Sequence, residues 1–322
     1  MPAAPAEPER IDPVLAAYAA RAVLERLEMV MKEAAGAKAG GDIEFVHRMR
    51  VASRRLRTAL RVFADALPSR RGRRWQAAVR RVTRALGSAR DTDVQIEFVG
   101  SRLAELKRRG AGYGLRRLLL RLRQKRAALQ DRVVRRVEEF EHSGVAEEIA
   151  ATLTPSPAEP AHSPGLDRLC RRLVGEHLAE FLAFEPFVER PRCVRELHEM
   201  RIAAKHLRYT LELFRPLTGR RLERQLAAAK EVQAMLGDIH DFDVWREFLP
   251  GFVAKEKART VRFFGSARGC ERLERGLRAF ERRVRGLRRA RYLEFREYWQ
   301  AARAAGTWER LARFAAAGPK PS

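Results

Sequence analysis

Two short stretches of the sequence carry side chains that could do chemistry. VHRMRVASRRLRTALRVF at 46–63 contains His47, Arg50, Arg54, Arg57 and Arg61, and LHEMRIAAKHLRYTLELF at 197–214 contains His198, Arg201, Lys205 and Arg208. Arginine offers a planar fork of donors that matches phosphate oxygens in pairs, and lysine adds a point charge. A histidine beside an anion is protonated more readily, because the anion favours the charged imidazole. The chemistry these types share is the holding of anionic oxygen. A second group, Asp91, Asp93, Asp241 and Asp243 with His240, looks at first like a metal-dependent phosphohydrolase site. The first copy has Arg90 where His240 stands, and arginine cannot ligate a metal. The aspartates are therefore expected to cap a new helix that starts after Gly87 or Gly237.

Helical spacing decides what the cations face. With His47 at zero and about 100° per residue, Arg50, Arg54, Arg57 and Arg61 fall at about 300°, 340°, 280° and 320°. Met49, Ala52, Leu56, Leu60 and Phe63 fall on the opposite side, the expected core face. The second copy repeats this with His198, Arg201, Lys205 and Arg208 against Met200, Ala203, Leu207, Leu211 and Phe214; only Glu212 interrupts, where Arg61 would be. In the next helix Arg70, Arg73, Arg74, Arg80, Arg81 and Arg84 share a face opposite Trp75, Val79, Val82 and Leu86, and the second copy keeps Arg220, Arg224 and Lys230 there. Like charges at i,i+3 and i,i+4 cost a few tenths of a kcal/mol each, so an acid-free stripe implies an anionic partner. Along about 25 helical residues the row extends ~37 Å, which suits an extended polyanion. Residues 42–90 hold 14 Lys+Arg and 3 Asp+Glu, and 191–240 hold 10 and 6, so the first half should contribute more of the binding.

The elements that position these residues are helices. No proline occurs between Pro68 and Pro155 or between Pro250 and Pro319, and these stretches are rich in Ala, Leu, Arg and Glu. Alternating Val/Ile/Thr runs and hairpin turns are nearly absent. The two halves repeat at an offset of 151, which becomes 150 after Phe63 or Phe214. His47/His198, Met49/Met200, Arg57/Arg208, Arg74/Arg224, Gly87/Gly237, Asp91/Asp241 and Phe98/Phe248 are among the identical pairs. The predicted fold is all-α: two tandem helical bundles, 10–150 and 167–316, joined by a Pro-rich connector at 151–166. Each half is expected to open with a helix (13–35; 167–184), continue with two motif helices (43–66 and 70–86; 194–215 and 220–236), and start a fourth near Asp91 or Asp241. A long basic helix closes each half (113–142; 270–303), its charges spread broadly as solvated or snorkelling side chains. A short helix, GTWERLARF, follows the last.

Composition narrows the partner. The 322 residues carry 66 Lys+Arg against 41 Asp+Glu, a net charge of +25, with 46% hydrophobic residues for a core. So large a charge repels itself unless an anionic partner is present. Cys170, Cys193 and Cys270 share no metal-ligand spacing and fit a reducing compartment. The sequence MPAAPAEPERIDP lacks the form of a signal peptide, and no apolar run suffices to span a membrane, so a cytoplasmic location is expected.

The paired motifs H-x-x-R-x-x-x-[RK]-x-x-R and LG-x-x-[RH]-D-x-D stand here as HRMRVASRRLR with LGSARDTD and HEMRIAAKHLR with LGDIHDFD. In this the chain resembles the CHAD (conserved histidine α-helical domain) family over about 10–315. The resemblance implies two bundles related by pseudo-two-fold symmetry around a central basic groove that holds inorganic polyphosphate, in association with polyphosphate granules. It implies a ligand-contacting set of His47, Arg50, Arg54 and Arg57 with His198, Arg201, Lys205 and Arg208, joined by Arg74, Arg80, Arg224 and Lys230. Family members are often fused to a triphosphate-tunnel hydrolase domain marked by an E-x-E-x-K strand, which this sequence lacks. The expectation is a non-catalytic binder of polyphosphate, open to other polyanions, with no catalytic residue, metal ligand or cofactor. The alternative is a nucleic-acid-binding protein using the same basic surface. Against it, no nucleic-acid-binding signature appears, and the aromatics, 8% of residues, sit mostly on core faces.

Overall fold

Asp12 begins the ordered helices by accepting from the backbone N–H groups of Val14 and Leu15, with Pro13 at the first helical position, where its missing N–H costs nothing. The computed structural model describes residues 12–106, 112–153 and 162–317; half of the Pro-rich connector, 154–161, lies outside them. The helices are α1 (Pro13–Ala39), α2 (Ile43–Val62), α3 (Ser69–Ala104), α4 (Tyr113–Glu141), α5 (Val145–Thr152), α6 (Pro164–Leu182), α7 (Val194–Leu213), α8 (Arg215–Thr218), α9 (Glu223–Phe264), α10 (Cys270–Ala304) and α11 (Thr307–Ala316). No strand occurs among the described residues, so the fold is all-α, and none of their helices is long and apolar enough to cross a membrane.

The helices form two compact units. The first takes its described residues from Met1–Asp91 and Ala128–Arg171, the second from Thr92–Ala127 and Arg172–Ala317, so the division falls inside α3, α4 and α6. In the first unit α1 packs on α2, and Met49, Ala52, Leu56, Leu60 and Phe63 are buried as their spacing predicts. Tyr18 meets Phe63 edge to face at 5.9 Å. Trp75 is fully buried and donates its indole N–H to Glu148 of α5 at 2.8 Å, satisfying the one polar atom of a large apolar side chain. The α1–α2 turn is held by Gly40 in the left-handed conformation and by Gln130, which donates to the carbonyls of Ala37 and Lys38.

In the second unit α7 and α10 pack on α9. Val99 of α3 and Leu115, Leu118, Leu119 and Leu122 of α4 bury against Trp245, Leu249 and Phe252 of α9 and Leu273, Leu277, Phe280 and Val284 of α10. This apolar cluster gathers 92–127 into the second unit. Phe181, Trp299 and Trp308 form a further aromatic group. Glu256, only 2% exposed, accepts from Arg121 at 2.8 Å and from Arg259. Burial alone would raise its carboxyl, but the two guanidinium hydrogen bonds outweigh that and hold it below the ordinary value.

Three expectations are corrected. Gly87 and Gly237 do not end helices: α3 runs through the first and α9 through the second, and neither glycine has a positive φ. Mid-helix glycine costs about 1 kcal/mol, and buried neighbours such as Leu86 and Ala89, or Leu236 and Ile239, override it. The motif helices at 70–86 and 220–236 are thus the opening halves of α3 and α9, with no separate fourth helix. The aspartates, lying inside continuous helices, cap nothing. Asp93 accepts from Arg126 Nε at 2.7 Å, Asp243 from Arg288 Nε at 2.7 Å, and Asp91 from Arg50 at 3.3 Å. α9 also passes through Pro250.

Candidate functional site

In the first unit the cationic faces of α2 and α3 meet antiparallel. Burial first, then the positive charges of Arg80, Arg61 and Arg84, hold the Arg57 guanidinium below its ordinary value. Further along, Arg50 Nε lies 3.7 Å from where a Cβ on Gly87 would sit, and Arg90 is the strongest charge acting on His47. Partners therefore descend on α2 as they ascend on α3: Arg61 and Arg57 beside Arg80 and Arg84, then Arg50 by Gly87, then His47 by Arg90.

This face is unevenly compensated. Arg50 is paired with Asp91 and Arg90 lies 3.8 Å from Glu44. Among the described residues no carboxylate lies within ion-pair distance of Arg57, Arg61, Arg80 or Arg84. Arg54, half-buried, lies between Arg50 and Arg57 on the same helical stripe. Arg74 is drawn elsewhere, to Glu148 at 3.4 Å and to the Ser143 carbonyl at 3.1 Å.

In the second unit α7 packs on α9, and the charges along this pair are arranged differently. His198 Nδ1 lies 3.0 Å from His240 Nδ1, with ring centroids 4.1 Å apart. Burial, then Arg201, then His198 push His240 down to about 4, with Asp243 opposing. His198 is lowered by burial, then by Arg201, with Glu199 opposing and Lys205 adding. Glu212 changes the other end of the stripe: Arg208 pairs with it at 2.9 Å and Lys230 lies 3.8 Å from it. Arg224 is exposed in the first turn of α9.

His47 resembles His198 in being held below the ordinary imidazole value, by burial first, then by Arg90, with Glu44 opposing and Arg50 and Arg48 adding. A buried imidazole next to arginines releases its proton because both desolvation and like charge disfavour the cation. Its Nδ1 is buried without a hydrogen-bond partner among the described residues. Both motif histidines are thus neutral near pH 7 in the unliganded protein, and an arriving anion would reverse the balance.

Arg84, Arg90 and His240 complete the two faces, although the helical stripe alone did not select them as site residues. The signal for the last two was the [RH] position of LG-x-x-[RH]-D-x-D, which lies beside the motif histidine only once α2–α3 and α7–α9 pair. The long basic helices are different in kind. Arg126 pairs with Asp93 and Arg288 with Asp243, Arg117 and Arg121 with Glu256, and Arg278 and Arg285 with glutamates one turn away. What Arg57, Arg61, Arg80 and Arg84 can do chemically is present guanidinium forks to anionic oxygens arrayed along a line.

The fold is similar to a crystal structure of the CHAD domain from the plant Ricinus communis, with a TM-score of 0.58 and 23% identity, covering 82% of this chain and 92% of that one. It is also similar to PptA from Streptomyces chartreusis, with a TM-score of 0.60 and 15% identity, covering 88% and 99%. A search of curated proteins gives no match. The CHAD domain profile matches residues 21–250, which include both histidine–arginine stripes and both aspartate motifs. The chain therefore belongs to the CHAD domain family, of which polyphosphate binding is a known property.

Proposed function

We propose that this chain binds inorganic polyphosphate without cleaving it. The observation that supports this best is the cluster of Arg57, Arg61, Arg80 and Arg84, four guanidinium groups with no carboxylate in ion-pair distance among the described residues. An arrangement that costs stability in the empty protein is repaid when a polyanion lies across it. The contacting set is His47, Arg50, Arg54, Arg57 and Arg80 from the first repeat, with His198, Arg201, Lys205, Arg208, Arg224 and Lys230 from the second; Arg84 and Arg90 join them. Arg74 joins only by leaving Glu148. The first repeat, 10–150, contributes more than the second, 167–316, because Glu212 neutralises part of the latter. Association with polyphosphate granules in the cytoplasm belongs to the same reading.

The deciding experiment sets long-chain polyphosphate against duplex DNA of equal phosphate concentration at about 150 mM salt, where nonspecific DNA binding is already weakened by counterion competition. Polyphosphate is expected to win and to keep its chain length during incubation with divalent metal. Preference for DNA would establish the nucleic-acid alternative. Turnover that survives repurification and disappears on replacing Asp91 or Asp241 would overturn the non-catalytic reading.

A pH dependence follows from the paired histidines. Their free-state values lie below the ordinary 6.5, and bound phosphate raises them, so protons are taken up on binding. The contribution is full below the free value and fades as pH rises through the bound one. Affinity should therefore climb as pH falls from 8 toward 6 and keep climbing below 6, by up to about tenfold per pH unit for each histidine titrating. Calorimetry in buffers of different ionisation enthalpy counts the protons. His47→Gln with His198→Gln should flatten this profile, and a double variant that kept it whole would assign both histidines a purely structural role.

A further inference from the structure

A second constellation, separate from the cationic stripes, sits on α6 and α7 of the second unit. One donor atom from each of His177, Glu180 and His206 lies within 4.8 Å of the others. His206 Nδ1 is 3.2 and 3.4 Å from the two Glu180 oxygens. His177 Nδ1 is 2.8 Å from the hydroxyl of Thr210, which is fully buried. We propose that these three residues form a divalent transition-metal site of the zinc type, with one coordination position open to water or a small anion.

The sequence places the ligands by helix geometry. His177 and Glu180, three residues apart, share one face of α6, and His206 of α7 approaches the same face. A tetrahedral zinc ion with bonds of about 2.0–2.1 Å separates its ligand atoms by about 3.3–3.4 Å, so the His206–Glu180 spacing already fits and His177 needs only a small side-chain shift. Two imidazoles and a carboxylate, with no thiolate, suit zinc and neighbouring first-row ions rather than calcium or magnesium. A plain surface ion pair between His206 and Glu180 would need no third donor. His177 is that donor, and Thr210 gives it the support that ligating histidines characteristically have. In the tautomer that donates Nδ1–H to the buried hydroxyl, Nε2 carries the lone pair a metal requires, and the contact fixes the ring.

The site is not part of the repeated cationic motif. At the established offset of 151, His206 corresponds to Arg55, and arginine cannot serve as a ligand. It belongs to the second repeat alone and stands whether or not polyphosphate is the ligand of the stripes.

The test uses the full chain, free of any histidine tag and stripped with chelator. Titration calorimetry with zinc chloride should show one ion per chain, and cobalt(II) should give the intense visible absorption of a tetrahedral site. Glu180→Gln and His206→Gln should each weaken zinc binding by at least ~10–100-fold, since losing a ligand costs no less than losing its supporting partner. His240→Gln, which removes the other close histidine pair, should leave zinc binding unchanged. Polyphosphate affinity in metal-free buffer should not change in the Glu180 variant. Absence of saturable zinc binding by the parent would overturn the proposal, as would a Glu180/His206 double variant with the parent's stoichiometry and affinity. Glu180 is exposed, so its variant keeps the fold and carries the test if the histidine variant does not.

Discussion

Replacing Arg57, Arg80 and Arg84 together by glutamine should weaken polyphosphate binding by at least about 100-fold, since hydrogen bonds to charged groups contribute about 1.5–3 kcal/mol each and some are recovered by neighbours. The same change should make the empty protein more stable. Arg57 and Arg61 are one helical turn apart, as are Arg80 and Arg84, and the two pairs face one another. Relieving that repulsion should raise the melting temperature by roughly 1–3 °C, from a few tenths of a kcal/mol per like-charge contact. Opposite signs for binding and stability distinguish a ligand surface from a structural one. Arg74→Gln is the internal control: it loses the Glu148 and Ser143 contacts, so it should reduce stability slightly and binding little. Affinity of the triple variant within threefold of the parent would overturn the placement of the site.

Salt should reduce binding as steeply as those substitutions do. Each phosphate neutralised by a bound cation releases counterions, and the logarithm of the binding constant falls by ~0.7–0.9 per phosphate per decade of salt. About five to ten neutralised phosphates give a slope near −4 to −9, so raising salt from about 50 to 200 mM should cost about 10²–10⁵ in affinity. In the Arg57/Arg80/Arg84 variant the slope should become shallower by about 2–3. A slope of −1 or shallower in the parent would mean that the stripes are not where the polymer binds. Fluorescence anisotropy with end-labelled polyphosphate across a salt series measures both slopes.

The local pattern was a sound guide to helices and their faces. Every apolar residue assigned to the core face of α2 and α7 is buried, because period alone sets which side of a helix a residue occupies. The local pattern misled where a breaker sat inside a well-packed segment. Gly87, Gly237 and Pro250 each argue locally for an end, yet α3 and α9 continue, since tertiary burial of the flanking apolar residues outweighs about 1 kcal/mol of glycine propensity and supports the helix across the proline. The aspartate motif suggests a cap for the same local reason, but a cap needs a helix start, and α3 and α9 are continuous there.

By itself the sequence determined the all-helical class, the two-fold repetition of the His–Arg motif, and the cationic sides of α2 and α7. These depend on residue type and spacing within a few turns. Only the tertiary structure decided which cations are spent and which remain available. Arg126 is held by Asp93, Arg288 by Asp243 and Arg74 by Glu148, whereas Arg57, Arg61, Arg80 and Arg84 meet one another. It also decided that His240 lies against His198 and that His177, Glu180 and His206 converge. The reason is that electrostatic and coordinative interactions depend on distance in space: Asp93 and Arg126 are 33 residues apart along the chain, Asp243 and Arg288 45, and His198 and His240 42, and they come within a few ångströms only when the apolar faces pack.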